Sequence, residues 1–138
     1  MKLTDDHGLE VLTREECLRR LREHSVGRLA VVAGGRPEIF PVNYVLDGEA
    51  VVFRTDEGTK LAAAEGAVVA FEIDAIDTAT RTGWSVVVHG RAEEMTTFDG
   101  PVRERSLREL GVDPWAGGEK RHWVRIEPLS ITGRRVAP

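Results

Sequence analysis

The stretch Phe53-Arg54-Thr55-Asp56-Glu57-Gly58-Thr59-Lys60 holds the residue types best suited to gripping a phosphate. An arginine ends an apolar run, a glycine allows a turn, and a threonine and a lysine then open what reads as a helix. Helix N-termini present unpaired amides and the positive end of a dipole, which stabilise an anion. Arg54 can fork onto a phosphate, Lys60 adds a point charge and Thr59 donates a hydroxyl. The spacing is not that of a Walker loop, and a capped helix with two solvated cations fits the same residues.

Three further groups could bind a ligand. In Pro41-Val42-Asn43-Tyr44, the Asn43 amide interrupts apolar neighbours and can orient the edge of a flat molecule; water at a sheet edge would satisfy it equally. In Thr82-Gly83-Trp84-Ser85-Val86, Trp84 offers a stacking face and Ser85 a small donor on the opposite side of the strand. A core tryptophan beside a solvated serine is the plainer alternative. Trp123-Val124-Arg125-Ile126-Glu127-Pro128 and then Thr132-Gly133-Arg134-Arg135 make either a phosphate or carboxylate clamp or an exposed tail. His7, His24, His89 and His122 lack ligand spacing, so no protein-built metal site is expected. Cys17 reads as packing rather than as a nucleophile. No Ser-His-Asp arrangement can be argued, and no catalytic side chain is identified.

The elements that position these groups are legible. Thr13-Arg14-Glu15-Glu16 is a capping box, with Leu12 and Cys17 as its staple, and the helix it opens should fade near His24. Val26 to Ala33 reads as a strand that turns at Gly34-Gly35. Ile39–Leu46 and Glu49–Thr55 flank Asp47-Gly48, a dipeptide favoured in two-residue hairpins. Counting outward pairs Leu46 with Glu49, Tyr44 with Val51, Asn43 with Val52 and Pro41 with Arg54. Asn43, Val52 and Arg54 then share one face, and Val42, Tyr44, Val51, Phe53 and Thr55 the other, core-like one. A short helix capped by Thr59 follows. Next come a strand over Ala67–Ile76, a polar loop to Thr82 and a long strand over Gly83–Met95. The latter sets Trp84, Val86 and Val88 against Ser85, Val87 and His89. Phe98–Leu110 has helical spacing, Asp113–Gly118 is a loop, and Trp123–Pro128 and Ile131–Val136 close the chain as two strands. The whole suggests an antiparallel barrel with peripheral helices.

Composition narrows the function. The chain has 138 residues, 41% hydrophobic and 30% charged, as one globular domain over residues 1–138 with residues 1–12 as a flexible N-terminus. A net charge of −4 excludes nucleic-acid binding through a basic face. One cysteine excludes an internal disulfide. There is neither a membrane-length apolar run nor a signal-peptide apolar region, so the expected setting is cytoplasmic.

Taken in order, these pieces resemble the pyridoxamine 5′-phosphate oxidase-like family of flavin-binding split barrels, in its nitroimidazole-resistance and flavin/deazaflavin oxidoreductase-like branch. The resemblance runs from Leu18 to Arg135. It is carried by Val26-Gly27-Arg28-Leu29, Pro41-Val42-Asn43-Tyr44, Phe53-Arg54-Thr55 with Gly58-Thr59-Lys60, Gly83-Trp84-Ser85-Val86 with Gly90-Arg91-Ala92, and Trp123-Val124-Arg125-Ile126 with Gly133-Arg134. It implies a mainly β, six-stranded, Greek-key split barrel that dimerises, with a cofactor in each cleft between protomers. Arg54, Thr59 and Lys60 would hold the phosphate of FMN. Asn43 and the Phe53–Thr55 backbone would lie along the isoalloxazine, and Trp84 and Ser85 would reach the ring from the partner chain. The chain is shorter than true pyridoxamine phosphate oxidases and lacks their C-terminal substrate-binding segment, which argues against vitamin metabolism. The expected function is an FMN-dependent oxidoreductase acting on a small molecule. A deazaflavin or FAD in place of FMN, or a non-catalytic flavin, deazaflavin or haem module, is the alternative.

Overall fold

The first helix, α1 (Arg14–Glu23), begins where Thr13 can cap it. In the computed structural model, which describes residues 3–56, 58, 63–95 and 122–137, the Thr13 hydroxyl accepts from the Glu16 amide at 3.2 Å and donates to the Glu16 carboxylate at 3.1 Å. Cys17, Leu18 and Leu21 form the buried stripe, and the helix stops at His24. Leu12 is buried beside Cys17, as a staple requires.

Seven strands follow one another in sequence among the described residues: β1 (Glu10–Val11), β2 (Val26–Ala33), β3 (Arg36–Asp47), β4 (Ala50–Thr55), β5 (Val68–Asp77), β6 (Thr82–Glu94) and β7 (His122–Val136). The neighbours run β7-β4-β3-β2-β5-β6, and β6 pairs back onto β7, so six strands close an antiparallel barrel. The seventh, β1, is a two-residue addition to the end of β7. Alternation sends Leu29, Tyr44, Phe53, Phe71, Ile73, Val86, Val88 and Ile126 inward, where they are fully buried in one core. Helix α1 stops one mouth of the barrel: the Tyr44 hydroxyl donates to the Leu21 carbonyl at 2.7 Å. Gly27 leaves room for the core, since a Cβ there would lie 2.2 Å from the Phe71 ring. Among the described residues no helix is long and apolar enough to cross a membrane.

Two local readings change. The β3–β4 turn is Gly48-Glu49, not Asp47-Gly48: Asp47 pairs with Ala50, Leu46 with Val51 and Tyr44 with Phe53. Gly48 takes the positive φ of 64° that the first turn position needs. The register therefore slips by two, which leaves every side chain on its expected face; a slip of one would have reversed them all. Second, Trp123–Pro128 and Ile131–Val136 are one strand. Its register against β6 shifts between His89 and Gly90, so β7 runs through the point where Pro128 suggested a stop. At a bulge a proline forfeits no ladder bond. Thr59–Ala62 and both proposed elements of residues 96–121 lie outside the described residues; Ala63 and Ala64 are helical.

The N-terminal segment folds back onto β7. Asp5 pairs with Arg134 at 3.1 Å and Glu10 with Arg135 at 2.7 Å. Leu12 donates its amide to the Gly133 carbonyl at 3.0 Å. Helix and barrel meet closely at Gly133, because a Cβ there would fall 2.7 Å from the Cys17 sulfur and 2.9 Å from Leu12 Cδ1. Gly133→Ala should therefore lower stability by about 1–3 kcal/mol. In the Gly133→Ala/Cys17→Gly double variant the loss should be less than the sum of the single effects. Strict additivity in urea unfolding would show that this contact does not set the fit.

Candidate functional site

At the end of β4, pairing with β7 brings Arg54 opposite Trp123 and Thr55 opposite His122. The Arg54 guanidinium lies 5.0 Å from the centre of the Trp123 ring, a cation–π contact. Trp123 is 3% exposed and packs with Val52, Val45 and Met95 on the outer face of the barrel. Its indole Nε1 is buried without a hydrogen-bond partner. Such an orphaned donor is rare in folded chains. Val52, on the face it shares with Asn43 and Arg54, is buried inside the protomer.

Asn43 lies on the same face, one step past the last β3–β4 pair at Tyr44 and Phe53. Phe53 itself belongs to the core, so only its backbone can meet a ligand. Thr55 is likewise buried, and its hydroxyl donates to the Asp56 carbonyl at 3.3 Å. His122, set aside from sequence as isolated, adjoins this end with its Nδ1 hydrogen-bonded to the Glu94 carboxylate. Thr59 and Lys60 fall outside the described residues.

Trp84 and Ser85 sit at the other end of the barrel. Trp84 pairs with Arg135 and Ser85 with Arg134 across β6 and β7. Trp123 and Arg135 are twelve positions apart on β7, about 40 Å of extended chain. One protomer thus does not bring Arg54 and Trp84 together. Trp84 packs against the core, and the end of α1 covers it: the Arg20 guanidinium is 4.6 Å from the ring centre and His24 meets it edge-on at 5.0 Å. Trp84 is therefore both a core residue and a wall, since it lines adjoining cavities of about 460 and 410 Å³. Arg134 and Arg135 are neither a tail nor a clamp for phosphate; their carboxylate partners are Asp5 and Glu10. Arg125 likewise pairs with Asp47 and Glu127. Among the described residues no cluster of His, Cys, Asp and Glu could hold a metal.

On the outer face between β2 and β5, Arg28 Nη1 lies 3.2 Å from Glu72 and 3.3 Å from Asp74. Burial pushes the Glu72 carboxyl up to about 7, helped by its hydrogen bond to Asp74 and by repulsion from it, and opposed by Arg28. The folded chain then holds this proton more tightly than the unfolded chain. Its contribution to stability is present at low pH and is lost as the pH rises through about 7. Between about pH 5 and about pH 8 the melting temperature of the wild type should fall by a few degrees relative to Glu72→Gln, which cannot titrate. Parallel curves for the two proteins would place the titration elsewhere.

Comparison with known proteins covers nearly the same span. Residues 13–135 match the model of the family described as pyridoxamine 5′-phosphate oxidase. An uncharacterised protein of Mycobacterium tuberculosis H37Rv is 35% identical over 131 residues, which is 91% of this chain and 84% of that protein. An FAD-binding protein from Mycobacterium smegmatis has a structure similar at TM-score 0.76 and 36% identity, covering 92% of this chain and 99% of that one. A second FAD-binding protein, from Mesorhizobium loti, is similar at TM-score 0.76 and 27% identity, covering 94% of this chain and 99% of its own.

Proposed function

Since the chain belongs to the pyridoxamine 5′-phosphate oxidase family, we propose that it binds a flavin as a homodimer and oxidises or reduces a small molecule. The observation that carries the reading is the arginine–tryptophan pair at the end of β4. A guanidinium over the Trp123 ring, together with that ring's buried N–H with no partner, is a donor-only set. Donors of that kind suit a phosphate or a ring carbonyl, so the residues present fit the cofactor.

In this reading Arg54, Thr59 and Lys60 hold the phosphate of FMN. Asn43 and the backbone from Phe53 to Thr55 follow the ring edge. Trp84 and Ser85 come from the twin, which their distance from Arg54 along β7 makes necessary if all act in one site. A bound flavin would supply the electron-pair chemistry, while the chain binds and orients it. The FAD-binding relatives from Mycobacterium smegmatis and Mesorhizobium loti support a flavin. FAD shares the tricycle, the ribityl chain and the first phosphate with FMN, so the same residues serve either.

Arg54→Ala should weaken FMN binding by roughly 10- to 100-fold, the loss of a charge-assisted contact worth about 1.5–3 kcal/mol. Its cofactor-free melting temperature should stay near that of the wild type, because Arg54 lies off the core face. Arg54→Lys should recover only part of the affinity, since an ammonium lacks the planar fork. Lys60→Ala should weaken FMN more than riboflavin. Normal FMN binding by Arg54→Ala, measured by fluorescence quenching of the flavin, would refute the phosphate role.

A sedimentation experiment tests the assembly separately. The protein should run as a dimer at micromolar concentration. A monomer of 15.3 kDa would remove the shared site.

A further inference from the structure

The two cavities beside Trp84 share its ring, Gly83 and the end of β7, and together form a cleft at the mouth of the barrel. Leu9, Ile76 and Val136 give the larger one an apolar wall beside the indole. Such a wall accepts a flat ring. The charges around it are unequal in what they have left to offer. Arg134 and Arg135 are neutralised by Asp5 and Glu10. Asp77 spends one carboxylate oxygen on the amides of Ala79 and Thr80.

Two cations keep their charge. Arg20 stacks on Trp84 from the side of the smaller cavity, with no ion pair among the described residues. Arg81, on the rim of the larger, likewise has no ion pair or hydrogen bond among the described residues. It is also the only described residue other than glycine with positive φ, at 57°. Glycine or asparagine would be relaxed there; an arginine is not. Strain of this kind gathers where a side chain has a use.

We propose that this cleft binds a small planar aromatic acid, its ring against Trp84 and the apolar wall and its carboxylate on Arg81. Arg20 holds the indole from the other side and adds to the positive field. The binding stands on one protomer alone. Identifying the ligand as the substrate rests on the flavin reading above, in which Trp84 and Ser85 face the twin's cofactor.

The test is calorimetric titration of the cofactor-free protein with 2-naphthoate and its neutral counterpart, 2-naphthamide. The acid should bind the wild type roughly tenfold more tightly, the value of one charge-assisted contact. Arg81→Gly should erase that preference, leave the amide unchanged and keep or raise the melting temperature, because glycine suits the backbone. Its affinity for FMN should equal that of the wild type. Equal binding of acid and amide by the wild type, binding of neither, or an acid preference surviving in Arg81→Gly would overturn the proposal. So would a loss of FMN affinity in Arg81→Gly, which would make the arginine a flavin contact. Absence of FMN binding by the wild type would sink the flavin reading and leave this titration standing.

Discussion

Closure of the barrel through β7 is the constraint from which the rest follows. This 15-residue strand is bonded to β4 along one edge and to β6 along the other. Strands in a closed barrel must tilt and coil. The shift opposite His89 and Gly90 supplies the bend, and it depends on a missing side chain: a Cβ on Gly90 would meet the Glu127 carbonyl oxygen at 2.4 Å. Once β7 is laid down, Trp123 and Arg135 are committed to opposite mouths. Arg54 and Trp84 go with them, since each is the registered partner of one of these residues.

Each mouth then repeats one arrangement, a guanidinium over an indole: Arg54 on Trp123, and Arg20 on Trp84. The ring orients the cation without neutralising it. Several other arginines meet carboxylates. Arg14 pairs with Glu49, Arg28 with Glu72 and Asp74, and Arg125 with Asp47 and Glu127. Where Arg20 lies over Trp84, with no ion pair among the described residues, a chain of net charge −4 keeps a local positive potential.

Much of the fold could be read because it is written in short-range chemistry. Thr13 and Glu16 announce the helix, and alternation gives the faces of β3 and β4 even though the turn lies one residue further on. Parity survives an even slip, so Arg54 was correctly removed from the core. Thr55 and Phe53 fell on the core face by the same rule, which confines any ligand contact to their backbone. What sequence could not supply was pairing between distant segments. Sequence groups Trp123 with Arg125, its neighbour in the chain, whereas the side chain it meets across the ladder is Arg54. Nor does the sequence show that α1 closes over Trp84 and sets Arg20 on its ring. The Arg134–Arg135 pair invited an anion, but Asp5 and Glu10 at the far end of the chain had already met it.

The position of β7 in the chain also has a cost in time. It is synthesised after every strand it joins, yet it lies between two of them. Until it emerges from the ribosome, β4 and β6 each carry an open edge of unpaired amides and carbonyls, the kind of template on which chains aggregate. The contacts that finish the structure, such as Arg134 with Asp5 across 129 positions and Arg135 with Glu10 across 125, close long loops last. Folding of this barrel is thus completed from its C-terminal end, and the interval before β7 arrives is when the nascent chain most needs protection.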